Sequence, residues 1–279
     1  MPLFLCIVAK IQDLLNILQN IAPDGLAETW DNVGLLVGNP DDRISSVLLA
    51  LDPLVPLLAE AQRCGAELII THHPAIFRPL KSLRTDRPDG RFLAAAVRAG
   101  INVVGCHTNF DAACGGVNDV LAELLGLQNT TPLLPEKSES CAAPCGLGRI
   151  GVLPDPVLPE DFLAKVHEVL SPPWLLEAGP HPEQVTRVAV CGGSCSDISE
   201  TALTAGADVF LTAEIKHNIA CWAEEAGFWL IDGGHFATEY PAVQGLARLL
   251  SNRLQQVDME VAVHCACQEP PLRLAGKRN

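Results

Sequence analysis

The chain has 279 residues, 48% hydrophobic but only 5% aromatic, so Leu, Ala, Val and Ile must fill its core. That length allows one large or two medium domains. With 19 Lys and Arg against 33 Asp and Glu the formal net charge is −14, which repels phosphate backbones and anionic lipid and argues against bulk binding to either.

The opening Met1-Pro2-Leu3-Phe4-Leu5-Cys6 is apolar but short, and lacks the charged flank and small-residue cleavage site of a secretory signal. No run of about 18 or more apolar residues follows, so a soluble, cytoplasmic protein is expected. The 11 cysteines are odd in number and scattered through apparent strands and helices. Their close pairs, Cys141/Cys145, Cys191/Cys195 and Cys265/Cys267, lack the C-x-x-C spacing of a zinc knuckle or redox motif. Reduced thiols that pack as small hydrophobes are therefore expected.

From Ser45 the pattern becomes regular. Ser46 to Leu51 is a short apolar run that reads as a buried strand. Leu54 to Cys64 has helical spacing and stops at Gly65. Glu67 to Thr71 is a second strand closed by His72-His73-Pro74, and Arg91 to Arg98 a second helix ended by Gly100. Ile101 to Cys106 is a third strand running into His107-Thr108-Asn109-Phe110-Asp111. Strands alternating with single helices predict a mostly parallel sheet covered on both faces.

The same order recurs. Arg187 to Cys191, Asp208 to Thr212 and Phe228 to Ile231 read as strands, with helices over Ser196 to Thr204 and Asn218 to Glu225 between them. G-A-E-L-I-I-T-H-H aligns with G-A-D-V-F-L-T-A-E, and G-C-H-T-N-F-D with G-G-H-F-A-T-E, as in a duplicated unit. The Pro-rich stretch from Thr131 to Pro182 is the natural connection, with a strand over Gly146 to Leu153 and a helix over Pro159 to Leu170. Pro241 to Leu254 is a closing helix and Met259 to Val263 a final strand. This places a first domain at 1–130, a second at 131–267 and a tail at 268–279.

Ligands of open parallel α/β sheets sit outside the carboxyl ends of the strands. The conspicuous polar groups all lie there: His72 and His73, His107 and Asp111, Glu214, and His235 with Glu239. H-x-x-x-D and H-x-x-x-E each put two metal-capable side chains one turn apart if a helix starts at that point. Singly, such groups are ordinary turn or hydrogen-bonding residues; together they favour a metal site. Imidazole with carboxylate suits Zn²⁺, Fe, Mn²⁺ or Ni²⁺, and the surplus of donors over one tetrahedral site favours two ions. Metal-assisted hydrolysis is the matching reaction class. His167, His181 and His264 have no partner in this pattern.

The set E-T-W-D-N-V-G-L (Glu28 to Leu35), I-T-H-H-P (Ile70 to Pro74), H-T-N-F-D (His107 to Asp111) and G-G-H-F-A-T-E (Gly233 to Glu239) resembles the Nif-three-like family of dinuclear-metal proteins. Some members are labelled type 2 GTP cyclohydrolase I. The likeness runs from about Lys10 to about Val263. It implies two similar α/β domains with mostly parallel sheets, a metal site in the cleft between them, and a toroidal homohexamer. Carried over residue by residue, it implies His72, His73, Asp111, His235 and Glu239 as ligands of two divalent ions, Glu239 bridging. It puts His107 beside the metals, as an outer-sphere or substrate-facing group with a catalytic role. Trp30, Asp31 and Asn32, with Glu214 and His217, would line the substrate side; on packing grounds alone the Trp30 segment is a turn with a core tryptophan. Arg78, Lys81 and Arg84 are the obvious phosphate candidates, or else a solvated basic loop. Two functions are consistent with this pattern: a metal-dependent hydrolase of a nucleotide or phosphorylated small molecule, and a non-catalytic, metal-stabilised regulatory or scaffold protein.

Overall fold

A computed structural model describes residues 9–136 and 143–275. The opening apolar segment, Cys141 of the Cys141/Cys145 pair and the last residues of the tail lie outside them. The elements in chain order are α1 (Ile11–Ile21), β1 (Gly34–Val37), β2 (Ser46–Ala50), α2 (Pro56–Cys64), β3 (Leu68–Thr71), α3 (Pro88–Ala99) and β4 (Asn102–Gly105). There follow α4 (Thr108–Ala112), α5 (Val117–Leu125), β5 (Gln128–Glu136), β6 (Cys145–Val157), α6 (Pro159–Leu170) and β7 (Leu176–Ala178). The last third holds β8 (Val185–Val190), α7 (Ser199–Thr204), β9 (Val209–Thr212), α8 (His217–Ala226), β10 (Trp229–Asp232), α9 (His235–Glu239), α10 (Pro241–Gln256) and β11 (Ala262–Cys265).

Two sheets form, in the orders β1-β4-β3-β2-β11 and β5-β6-β8-β9-β10-β7. In the first, β4, β3, β2 and β11 run parallel and only β1 is antiparallel. In the second, β8, β9 and β10 run parallel at the centre, with antiparallel strands on either side. This is a mixed α/β architecture in which β2-α2-β3-α3-β4 and β8-α7-β9-α8-β10 repeat one order.

The repeat extends to a polar device. Glu67, just before β3, accepts bonds from the backbone N–H groups of Ser45 and Ser46 at the start of β2. Asp208, just before β9, does the same for Thr186 and Arg187 at the start of β8. In each case an acid after Gly-Ala satisfies donors that the strand end leaves over. Helices start and stop as their sequences ask: α2, α3 and α6 open with proline in the first turn, and α2 and α3 end in left-handed Gly65 and Gly100. Proline at Pro88 starts α3 three residues earlier than apolar spacing alone suggests.

Each unit has its own core. Leu48, Ala50, Ile69 and Val103 of the first sheet pack with Leu57, Ala61, Phe92 and Ala96 of α2 and α3. In the second sheet, Val188, Val190, Val209, Leu211, Trp229 and Ile231 face Leu121, Leu125, Phe162 and Val166 of α5 and α6. The alternate residues Ala189, Phe210 and Leu230 face α7 and α8. Burying each Val, Leu, Ile or Phe among them contributes about 1.5–3 kcal/mol.

The compact units divide the chain elsewhere than at residue 131. One takes the described residues up to Phe110 with Val243–Gln268; the other takes Asp111–Ala242 and the described residues from Glu269. The reasons are local. Helix α5 supplies Leu121, Ala122 and Leu125 to the core of the second sheet. Strand β11, which begins three residues later than the apolar run suggests, pairs with β2 in the register Ala262↔Ser46 to Cys265↔Leu49, so the end of the chain completes the first sheet.

Candidate metal centre

In the first unit, β3 delivers His72 and His73 beyond its carboxyl end, and β4 delivers His107 beside them. The ring centroids of His72 and His73 lie 5.2 Å apart, His72 and His107 5.2 Å, and His73 and His107 5.7 Å. One ring nitrogen from each of the three falls within 4.8 Å of the others, which makes the cluster a group that could hold a metal ion. The family resemblance implies a place for His107 beside the ligands, and its ring nitrogen lies in one group with those of His72 and His73.

What orients these rings is as informative as their proximity. His72 Nδ1 lies 3.0 Å from the Cys106 carbonyl oxygen, His73 Nδ1 2.7 Å from Asp52 Oδ1, and His107 Nδ1 2.9 Å from Asp31 Oδ1. A carbonyl or carboxylate oxygen can only accept, so Nδ1 carries the proton and Nε2 is the lone-pair nitrogen. Burial pushes the His107 pKa down, the neighbouring His72 pushes it further, and the hydrogen bond and charge of Asp31 only partly oppose them. His107 is thus held neutral, the form that ligates metals or accepts a proton.

Asp31 has no exposed side-chain surface. Burial alone would raise its pKa, but bonds from Thr108, His107 and the Asn32 N–H outweigh that and hold it below the usual carboxylate value. Its Oδ2 also receives the Thr108 backbone N–H at 3.0 Å. Asn32 donates its side-chain amide to the Ile76 carbonyl at 2.6 Å. Both side chains, expected on the substrate side, are therefore committed to protein groups and position His107 and the segment after Pro74. Trp30 is not a core residue: it is 57% exposed, edge-on to Phe77 at 5.7 Å and to His107 at 6.0 Å. Its flanking Asp31 is pulled inward, which turns the indole out. Asp52, which no sequence motif singled out, is the acid at the end of β2 and could have been found as the polar stop of that apolar run.

In the second unit, α9 carries His235 and Glu239 one turn apart, with His235 Nε2 3.0 Å from Glu239 Oε2. His235 Nδ1 lies 2.9 Å from Glu214 Oε1, the same arrangement as in the first unit. Glu214 therefore orients a histidine, and its backbone sits at φ +54°, a region costing non-glycine residues about 1–2 kcal/mol. His217 does not join this group in the described contacts; its Nε2 lies 3.7 Å from the exposed Cys221 Sγ.

Helix α4 starts immediately after His107 and carries Asp111, so the H-x-x-x-D motif does span a helix start. Asp111 and Glu239 are both buried, and their charges both push up the pKa of Cys191, which burial raises first. The loop after Cys191 explains why it must be Gly-Gly. A Cβ on Gly193 (φ +69°) would lie 2.1 Å from Glu239 Oε1 and 3.5 Å from His235 Nε2. Asn118 ties the two loops together, donating to the Asp111 carbonyl and accepting from the Gly192 N–H. Behind them the buried Arg149 clamps Asp119 with two nitrogens and donates to the carbonyls of Ala113, Gly146 and Gly148. Neither Asn118 nor Arg149 stands out in the sequence, because Asn118 reaches Gly192 and Arg149 reaches Ala113 and Asp119 across long stretches of chain.

The donors fit a metal: imidazoles whose Nδ1 is held by an oxygen acceptor, and buried carboxylates whose charge a cation offsets. The cysteines of the close pairs that fall among the described residues are free thiols. No helix of the described residues is long and apolar enough to cross a membrane.

Residues 9–271 match the sequence profile of the Duf34/NIF3 (NGG1p interacting factor 3) family. A "GTP cyclohydrolase 1 type 2 homolog" from Clostridium perfringens is 33% identical over 261 residues, 94% of this chain and 98% of that protein. A relative of the same name from Streptomyces coelicolor is 34% identical over 235 residues, covering 83% and 82%. Among solved structures, a Staphylococcus aureus protein superposes with a TM-score of 0.89 at 30% identity, over 95% of this chain and 99% of that one. A Bacillus cereus protein related to NIF3 superposes at 0.90 with 24% identity over 96% and 100%, a likeness of fold. The profile match spans nearly the whole chain and the likeness to these relatives covers the same length: the chain belongs to the DUF34/NIF3 family.

Proposed function

We propose that this protein binds two divalent metal ions per chain and uses them to hydrolyse a nucleotide or related phosphorylated small molecule. One observation carries the metal reading. Each of His72, His73 and His107 has Nδ1 against an oxygen acceptor and so offers Nε2, while His235 has Nδ1 against Glu214 and Nε2 turned to Glu239, the other residue of its H-x-x-x-E pair. Four histidines oriented in this way, three of them by carboxylates, are the pattern of metal ligands with supporting outer groups. His72, His73, Asp111, His235 and Glu239 are the residues that would hold the ions. Divalent ions held there would supply Lewis acidity, lowering the pKa of a water and polarising a phosphoryl or carbonyl group.

The chain's own residues supply the rest. His107 is neutral and partly accessible beside Trp30 and Phe77, and we assign it proton transfer rather than ligation alone. Trp30 offers an exposed ring on which a base can stack. Asp31 and Asp52 hold their histidines. The substrate class rests on the name borne by the curated relatives, type 2 GTP cyclohydrolase 1 homologs. A homohexamer of 29.8 kDa chains is the proposed assembly. The second reading, a metal-stabilised regulatory or scaffold protein, is favoured only by the buried carboxylates, which a structural ion would serve equally well.

A screen of metal-loaded protein against nucleotides and phosphoesters, with Glu239→Ala as control, separates the two. Turnover by the wild type that disappears in the variant supports the hydrolase. A blank screen, with metal removal lowering thermal stability or dissociating the oligomer, supports the scaffold.

A further inference from the structure

Beside the histidines of the first unit lies a cavity of about 730 Å³, within the ~300–1,000 Å³ range of small-molecule sites. Its walls come from three segments: the residues after Asp52, the loop after His73 and the first turn of α3. Two of them leave directly from the residues of the Asp52–His73 hydrogen bond, so the cavity and the histidines share a frame.

The lining is unlike the rest of the molecule. In a chain of net charge −14, Arg78, Lys81, Arg84, Arg87 and Arg91 all face this one cavity, with Asp89 the opposing carboxylate in the wall. Arg84 is already engaged by Asp86 through two nitrogens. Asp86 also feels the charge of Arg91. Arg78, Lys81 and Arg87 make no ion pair among the described residues, and their charge is available to a ligand. The N-terminal turn of α3, a 12-residue helix, adds its positive end to the same wall.

The remaining wall is apolar. Leu54, Ile76, Phe77 and Leu80 line it, and Leu54, Phe77 and Leu80 are exposed although large and hydrophobic. Phe77 belongs to two neighbourhoods at once. It lines the cavity, and its ring lies 6.2 Å from His107 and 5.7 Å from Trp30. A ligand with oligophosphate among the cations and an aromatic ring against Phe77 and Trp30 would present that ring to the histidines.

We propose that this cavity binds the phosphate chain of a nucleoside triphosphate-like ligand, with Phe77 and Trp30 holding its base at the His72–His73–His107 cluster. The proposal deepens the hydrolase reading and rests on it for the identity of the reacting end. A solvated basic loop would need neither the cavity nor the aromatic bridge.

Isothermal titration of the metal-loaded protein with GTP, and separately with inorganic triphosphate, tests it, with metal content measured on the same samples. Wild type is expected to bind both, more weakly as salt rises. Arg78→Glu/Lys81→Glu should weaken both by about ten-fold or more, as expected from reversing cations beside a polyanion. Phe77→Ala should weaken GTP and leave triphosphate unchanged. Neither variant removes a proposed metal ligand, so metal content should stay at the wild-type level. Wild-type affinity for both probes in the charge-reversed protein, or no binding of either by wild type, overturns the cavity. Binding that responds to these variants in protein retaining no metal supports the cavity and overturns the metal reading alone.

Discussion

Asp31 shows how one side chain sets the chemistry of another. It is buried, ionised and bonded to His107 Nδ1, and it keeps Nε2 as the lone-pair nitrogen of a ring that burial already favours neutral. Asp31→Ala should therefore lower turnover by about 10–100-fold through loss of orientation while metal content is kept, a split that activity and elemental analysis on the same samples read directly. The pH dependence follows from the same pair. The folded-state pKa of His107 lies below its ordinary 6.5, so the unfolded chain binds the extra proton first. Metal-free protein should lose stability through His107 as pH falls below that ordinary value. It should lose more at acid pH as Asp31, whose folded pKa is also depressed, is protonated. Denaturant titrations across pH should show both losses in wild type and a smaller first loss in His107→Gln. The thiols divide by burial: Cys221 is exposed, whereas Cys191 is buried with its pKa pushed up. Alkylation under native conditions should mark Cys221 and spare Cys191.

At the scale of elements, loops rather than helices carry the precision of the second half of the site. Gly193→Ala places a methyl 2.1 Å from Glu239 Oε1 on backbone at φ +69°. The strain alone should cost about 1–2 kcal/mol, and the displaced Glu239 should release metal, so thermal melting and metal content should fall together. Arg149→Ala removes a buried guanidinium that satisfies Asp119 and three carbonyls, and should cost about 3–5 kcal/mol. These two positions also mark what the sequence could and could not reveal. The strands before His72, His107, Glu214 and His235 were legible because short apolar runs stopped at glycine or at polar groups. The helix over Pro159–Leu170 was legible because proline opens it and its apolar residues recur at helical spacing. Helix α1 and strand β5 were not. The latter carries two prolines and mostly exposed residues, and only its antiparallel pairing with β6 makes it a strand. Asn118 and Arg149 act through partners distant in sequence, and no local signal marks such pairs, whereas Asp52 is at least visible as the polar stop of an apolar run.

For the whole molecule, the chain order of the halves is less simple than a duplication followed by a tail. The first sheet is finished by β11, after the second sheet is complete, so truncation before Ala262 removes a strand paired with β2 from the first unit. The acidic total repels polyanions in bulk, so the proposed anionic ligand would be held by the local cations of the cavity. Metal bound only by the folded state should stabilise it by mass action, so chelation should lower the melting temperature by roughly 5–10 °C.

Histidines held at Nδ1, with buried carboxylates, are proposed to form a metal centre. Elemental analysis of protein reconstituted with Zn²⁺, Mn²⁺, Fe²⁺ or Ni²⁺ and freed of excess metal tests it most directly, on wild type, His73→Ala and Glu239→Ala. The account predicts about two ions per wild-type chain and a loss of at least one in each variant, with circular dichroism showing retained fold. A wild-type chain that keeps no stoichiometric metal, or variants that keep as much as wild type, would contradict it.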